Sequence, residues 1–197
     1  MSQLSFFSAE SVPPAVADLT GMLAGPGQVV MVGSGSEQTA RSSVVVDASW
    51  RAQGLAVMIR QAGLEPEITR TDEDTPLVRT ALDAQLVPIA RDWPLGAIKT
   101  EPGHWLPGSR ELRAWTLAAG TPEADDRYLL GLDPHAPDTH APLASAMMRA
   151  GIAPTLIGTR GPRPALRISG RRRLSRLIEN VGEPPEGAAA LAQWPRM

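Results

Sequence analysis

Apolar and polar positions alternate along the chain with two different periods. Spacings of three and four residues, with Pro near the start and Gly after the end, predict helices over residues 13–24, 50–62, 83–93, 109–119, 141–150 and 171–181. Period-two alternation and short apolar runs predict strands over residues 28–32, 42–47, 67–71, 77–80, 127–133, 155–159 and 165–169. This order, with short local connections between strands, predicts an α+β fold with a mixed or antiparallel sheet and its helices on one face.

The order of predicted elements repeats. A shift of 88 residues aligns 55–90 with 143–178 without a gap, and nine of the 36 positions are identical. Average composition would give about two or three. The matches include the Ala-Gly that ends a predicted helix, Ala62-Gly63 and Ala150-Gly151, and the strand pair Arg79 and Arg167. We therefore expect a duplicated αββαββα unit with pseudo-two-fold symmetry rather than chance similarity.

The domain boundaries follow from this register. We expect a first repeat over 10–93, a linker over 94–108 that is rich in Pro and Gly, and a second repeat over 109–182. Residues 183–197 form a C-terminal tail that we expect to be loose, with Trp194 as its one anchor.

Composition narrows the function classes. The 197 residues include no cysteine, which excludes disulfides, thiolate nucleophiles and cysteine-based zinc sites. Residues 1–14 lack the basic start and apolar run of a signal peptide, and no stretch of about 18 apolar residues predicts a membrane span. We expect a cytoplasmic protein. Eighteen arginines accompany a single lysine, a bias typical of a GC-rich genome.

The end of the first predicted helix carries a recognisable nonapeptide. Residues 19–27 read Leu-Thr-Gly-Met-Leu-Ala-Gly-Pro-Gly, and residues 112–120 of the second repeat read Leu-Arg-Ala-Trp-Thr-Leu-Ala-Ala-Gly. Both resemble the LAGLIDADG motif of homing endonucleases in the first leucine, the small third and seventh residues and the final glycine. Small residues at those places let two helices pack closely side by side.

The resemblance covers about residues 10–182 and is strongest to the LAGLIDADG-like part of the WhiA family of actinobacterial sporulation regulators. It is carried by Leu106-Pro107-Gly108 and by the Ala- and Gly-containing helix that follows. It implies a homing-endonuclease fold used for DNA binding or transcription regulation. WhiA proteins also carry a helix-turn-helix, for which the residues after 182 are too few, so we expect no such module here.

The same resemblance argues against cleavage. In the active family the acid at the eighth motif position binds a divalent metal between the two helices, as hard oxygen ligands do. Pro26 and Ala119 occupy those positions here, and the sixth positions are Ala24 and Leu117. We therefore expect no catalytic residues, no cofactor and no enzymatic activity.

Two other segments suggest chemistry at first sight. Residues 33–36, Gly-Ser-Gly-Ser, lack the Lys and Ser/Thr of a phosphate loop and favour a hairpin turn. Asp133, His135, Asp138 and His140 include metal-capable side chains, but three nearby prolines favour an ordered turn in which Asp138 or Thr139 caps a helix. His104 has no evident partner in the sequence.

The two repeats differ in charge. Segment 55–90 has a net charge of −3, and segment 143–178 has +8 with no acid. Such a basic patch is typical of contacts to phosphate. The nucleic-acid-binding candidates are Arg79, Arg160, Arg163, Arg167, Arg171, Arg172, Arg173 and Arg176.

Our hypothesis from sequence is a non-catalytic DNA-binding or regulatory protein that contacts double-stranded DNA through these arginines. The alternative is a protein–protein interaction module, in which the acidic first repeat and the basic second repeat serve self-association or the binding of a partner. Neither interpretation involves a membrane.

Overall fold

The computed structural model describes residues 8–95 and 98–197. The first repeat begins with a 3-10 turn, Val16–Leu19, that continues into a short α-helix. Its elements are α1 (Thr20–Ala24), β1 (Gln28–Val32), β2 (Thr39–Val45), α2 (Ser49–Gln61), β3 (Pro66–Arg70), β4 (Pro76–Thr80) and α3 (Val87–Asp92). The strands form one antiparallel sheet in the order β1-β2-β4-β3.

The linker contains a two-stranded hairpin of β5 (Pro94–Leu95) and β6 (Ile98–Lys99). The second repeat follows with α4 (Ser109–Ala119), β7 (Gly120–Ala124), β8 (Arg127–Gly131), α5 (His140–Arg149), β9 (Thr155–Ile157), β10 (Ala165–Ser169) and α6 (Arg171–Val181). Its sheet has the order β7-β8-β10-β9 and is again antiparallel. The strand order of the second repeat therefore copies that of the first.

Residues that are 88 positions apart have equivalent strand partners and backbone angles in the two repeats. Arg79 on β4 lies opposite Glu67 on β3, and Arg167 on β10 lies opposite Thr155 on β9, which are the equivalent positions. Gly63 and Gly151 both follow the C-cap of a helix with φ of 82°. A left-handed glycine at this place ends a helix without the steric cost of a side chain. The predicted internal duplication is confirmed.

Each sheet buries one face and leaves the other open. Along β4 and β10, residues such as Val78, Leu166 and Ile168 are fully buried, whereas Arg79 and Arg167 between them are half-buried. The buried face of each sheet packs on helices. Because side chains alternate across a strand, each of these five-residue strands contributes side chains both to the core and to the open surface.

The structure differs from the sequence expectations at the first helix, at β7 and in the tail, and the linker hairpin of β5 and β6 was not predicted either. The first helix is shorter than predicted, because the Asp18 carboxylate accepts a hydrogen bond from the backbone N–H of Ala15 and caps the chain there. Residues 120–124 form a strand, β7, that the sequence did not predict. The tail contains a short helix, α7 (Ala188–Gln193), and Trp194 is buried with its indole N–H donated to the Gly182 carbonyl. The tail is thus anchored as expected but is not loose.

Three tryptophans join the linker to the two repeats. The ring of Trp105 packs edge-on against Trp93, with centroids 5.3 Å apart, and lies 6.2 Å from the ring of Trp115. The indole N–H of Trp105 donates to the Thr20 hydroxyl. Within the described residues, no helix has the length and apolar character that crossing a membrane requires.

Candidate functional site

The two motif helices meet at the centre of the molecule. A Cβ atom added at Gly21 would collide with the carbonyl oxygen of Glu111 and lie 2.9 Å from the Cβ of Ala114. One added at Gly25 would lie 3.3 Å from the ring of Trp115. The small third and seventh motif residues therefore let α1 and α4 approach at backbone distance, as their spacing predicts.

A lysine occupies the end of the first motif helix. Lys99 Nζ donates to the carbonyl oxygens of Gly25 at 2.6 Å and Gly27 at 2.8 Å, on either side of Pro26. The last carbonyls of a helix have no partner within the helix and carry partial negative charge, so an ammonium group stabilises them. A cation therefore lies beside the eighth motif position of the first repeat, and no carboxylate is contributed by that position.

The same lysine connects the linker to the second repeat. Its Nζ lies 3.2 Å from Oδ2 of Asp133, and the side chains of both residues are less than a tenth exposed. The side-chain amide of Gln28 donates to the same Oδ2 at 2.8 Å. Burial lowers the pKa of Lys99 to about 8, although the Asp133 carboxylate favours the charged form.

An arginine has the corresponding place at the end of the second motif helix. The buried guanidinium of Arg51 donates to the carbonyls of Thr116, Leu117 and Gly120 at 2.5 to 3.2 Å, around Ala119. Its Nε lies 2.7 Å from Oδ1 of Asp47. The carbonyl ends of both motif helices are therefore held by side-chain cations from elsewhere in the chain.

The Asp133 to His140 segment forms an ordered turn. Oδ1 of Asp133 accepts the backbone N–H of His135, and Nε2 of His140 lies 2.8 Å from the Asp133 carbonyl oxygen. Thr139 occupies the N-cap position of α5, as one of the two expected candidates, although its hydroxyl donates to the carbonyl of Ala136. No group of three or more His, Cys, Asp or Glu side chains with metal-binding geometry occurs in 8–95 and 98–197.

Residues 33–36 connect β1 to β2 as a hairpin turn.

On the open sheet faces, the two equivalent arginines are paired with acids. Arg79 Nε donates to Glu67 at 2.6 Å, and Arg167 Nη2 donates to Glu123 at 2.6 Å. The hydrogen bond between Arg167 and Glu123 raises the pKa of Arg167 and lowers the pKa of Glu123. The two guanidinium groups therefore keep the same place on their sheets, but each has a carboxylate beside it.

The other candidate arginines lie beyond the two ends of β10 and have no acidic partner in the described chain. Arg160 and Arg163 are exposed in the turn before β10, and Arg171 to Arg173 are exposed at the start of α6 after it, beyond a strand about 13 Å long. Arg171, Arg172, Arg173 and Arg176 border one cleft of about 500 Å³. None of these six residues (Arg160, Arg163, Arg171, Arg172, Arg173 and Arg176) makes an ion pair within the described part of the chain.

Sequence reasoning missed Lys99, Arg51 and Gln28. Apart from Asp47, which lies four residues before Arg51, their partners are 34 to 105 residues away along the chain, so no local motif could reveal them. One signal was available for Lys99, because it is the single lysine beside eighteen arginines.

Comparison with solved structures identifies the architecture. The chain matches the N-terminal LAGLIDADG domain of WhiA with a TM-score of 0.55 and 13% identity, over 85% of this chain and 82% of that one. It matches the homing endonuclease I-WcaI, bound to its DNA recognition sequence, with a TM-score of 0.57 and 10% identity, over 92% and 84% of the two chains.

A third match is full-length WhiA from Thermotoga maritima, with a TM-score of 0.57 and 15% identity, over 84% of this chain and 54% of that protein. No protein-family profile matches the sequence, and no curated protein does. At these identities the likeness concerns the fold alone. The chain has a LAGLIDADG-like fold, built from two repeats around the α1–α4 seam.

Proposed function

We propose that this protein is a non-catalytic, LAGLIDADG-like DNA-binding protein that acts in transcription regulation and holds duplex phosphates through arginines of its second repeat. The observation that carries the proposal is the set of six exposed arginines in the turn before β10 and on α6, none with an ion pair in the described chain. Unpaired guanidinium groups are available for bidentate contacts to phosphate oxygens.

The paired arginines have a different part in this proposal. Arg79 and Arg167 lie on the open sheet faces, but Glu67 and Glu123 offset their charge. A guanidinium group held by a carboxylate is fixed in orientation and adds little net attraction for phosphate. We therefore assign most of the phosphate affinity to Arg160, Arg163, Arg171, Arg172, Arg173 and Arg176.

The non-catalytic part rests on the ends of the motif helices. Pro26 and Ala119 supply no metal ligand, and the carbonyls around them already bind Lys99 and Arg51. Lys99 is paired with Asp133 and Arg51 with Asp47, so a divalent cation at either helix end would have to displace an existing ion pair. The homing endonuclease relatives are enzymes, and we propose that this chain keeps their fold for binding only.

A mobility-shift assay with duplex DNA tests the proposal. Arg171→Ala combined with Arg172→Ala should weaken binding at least tenfold. The control, Arg60→Ala combined with Arg70→Ala, removes two exposed arginines from the first repeat, of which Arg70 is paired with Asp74, and should leave affinity within about twofold. Equal affinity of the two double variants would reject the proposed interface.

One observation favours the alternative, an interaction module. The β3–β4 turn presents Asp72, Glu73 and Asp74, all exposed, opposite in sign to the second repeat. Charge-driven self-association through these surfaces should appear as a larger species in size-exclusion chromatography at low salt that dissociates at high salt. A monomer at both salt concentrations, together with DNA binding, would favour the first proposal.

A further inference from the structure

The outer edge of β1 borders a cleft that the DNA-binding proposal does not use. The cleft has a volume of about 580 Å³ and lies between β1, the end of α3 and the linker. Its walls include Val29, Met31, Ala90, Trp93, Arg91 and Lys99. β1 is the edge strand of its sheet, so the backbone N–H and C=O groups on its outer side have no strand partner in the described chain.

The equivalent place in the second repeat is occupied by the chain itself. There the edge strand is β7 and the neighbouring helix is α6, and α7 packs against β7. The Tyr128 hydroxyl donates to the carbonyl of Gln193, and the Ser175 hydroxyl donates to the sulfur of Met197 at 3.6 Å. The last five residues thus lie as a peptide against the β7–β8 hairpin and α6. The first repeat has the corresponding cleft, and no described segment of the chain fills it.

The charge of the cleft indicates what it would accept. The ionisable residues among its described walls, Arg91 and Lys99, are both basic. Lys99 is paired with Asp133, so Arg91 is the basic wall residue that has no ion pair in the described chain. Arg91 is exposed and donates to the Gln38 side chain at one end, whereas Lys99 is buried at the other. In the second repeat the walls around Arg196 of the tail carry two acids, Glu123 and Asp125, and one base, Arg127.

We propose that the cleft beside β1 binds an extended segment of a protein partner that carries apolar side chains and at least one carboxylate. The backbone of the segment pairs with the free edge of β1, which is how edge strands bind peptides. Its apolar side chains contact the half-buried Val29 and Met31, and its carboxylate lies near Arg91. The surface is distinct from the second-repeat arginines, so the protein can engage DNA and this segment together.

A random dodecapeptide library displayed on phage tests the proposal with the full-length protein. Selection should enrich peptides that alternate apolar residues with Asp or Glu. In fluorescence anisotropy, Arg91→Glu should weaken a selected synthetic peptide at least tenfold and Met31→Ala at least threefold. Arg60→Glu, a charge reversal at an exposed arginine outside the cleft, should change affinity less than twofold.

Two results would overturn the proposal: no enrichment of acidic and apolar peptides, or selected peptides that bind the Arg91→Glu variant as tightly as the unmodified protein. Arg91 is exposed, so its substitution leaves the core intact, and equal melting temperatures of the Arg91→Glu and Arg60→Glu variants establish that both are folded.

Discussion

The Nζ atom of Lys99 and the Oδ2 atom of Asp133 form a buried ion pair of 3.2 Å that joins the linker to the second repeat, beside the end of the first motif helix. Gln28 of the first repeat shares the same carboxylate oxygen. Three parts of the chain therefore meet at one buried charge pair, where the resemblance to homing endonucleases would place an acid and a metal. The stability of this junction should depend on the protonation of Lys99.

The pH dependence has a definite sign. The pKa of Lys99 is about 8 in the folded protein and about 10.5 in the unfolded chain, so between these values the unfolded chain binds more protons. Raising the pH through this range therefore stabilises the native state. The free energy of unfolding of the unmodified protein, minus that of Lys99→Met, should rise by about 1 to 3 kcal/mol from pH 7 to pH 10.5.

Urea denaturation at pH 7, 8, 9, 10 and 10.5 measures this difference. Tyr128, whose pKa burial raises, acts in the opposite direction above pH 10, but it is present in both proteins and cancels. A difference that stays constant, or that falls as the pH rises, would contradict a desolvated ammonium at this position.

Arg51 should be a major contributor to stability. Arg51→Met removes the side-chain donors to three carbonyls around the end of α4, of which the Thr116 carbonyl keeps the backbone N–H of Gly120 as a donor. Unmade hydrogen bonds of this kind cost about 2–4 kcal/mol in total. Arg60→Met, at an exposed arginine of the same helix, should cost less than about 0.5 kcal/mol. Similar denaturation midpoints for the two variants would show that the carbonyl ends do not need Arg51.

The helix seam should tolerate no added methyl group at Gly21. A Cβ atom there collides with the backbone of α4, and overpacking of this kind costs about 1–3 kcal/mol or more. Gly103→Ala is the control, because a Cβ atom at that position meets no atom within 4 Å. Thermal melting of the two alanine variants should therefore separate clearly, and coincident melting curves would mean that α1 and α4 are not in backbone contact.

Cleavage should be absent even when binding is strong. A bound duplex should be incubated with about 10 mM Mg²⁺ or Mn²⁺, which is enough to occupy a weak site of oxygen ligands. Both DNA strands should remain intact on a denaturing gel. A nicked product that disappears in Asp133→Asn would assign a metal role to Asp133 and refute the non-catalytic proposal.

Much of the fold was predictable because its determinants are local or periodic. The Ala-Gly pairs at 62–63 and 150–151 mark equivalent helix ends, and their glycines have the same φ of 82°. The alternation along β10 correctly separated Leu166 and Ile168 from Arg167. The close helix seam followed from the small residues of the two nonapeptides.

The rest depended on contacts that the sequence does not encode locally. β7 contains Pro122 in five residues without apolar alternation, and it becomes a strand because β8 is beside it. The net charge of +8 for segment 143–178 omitted Glu123, which lies outside that window yet binds Arg167 across the sheet. The Lys99 junction required three distant segments to be brought together by the fold.

The salt dependence of duplex binding tests the central claim most directly. Removing one arginine that binds a phosphate should reduce the slope of log Kobs against log salt concentration by about 0.9. The Arg171→Ala and Arg172→Ala double variant should therefore show a slope smaller by about 2 than that of the unmodified protein, while the Arg60→Ala and Arg70→Ala control keeps the original slope. An affinity that does not respond to salt, or an equal slope in both double variants, would contradict phosphate binding through the second repeat.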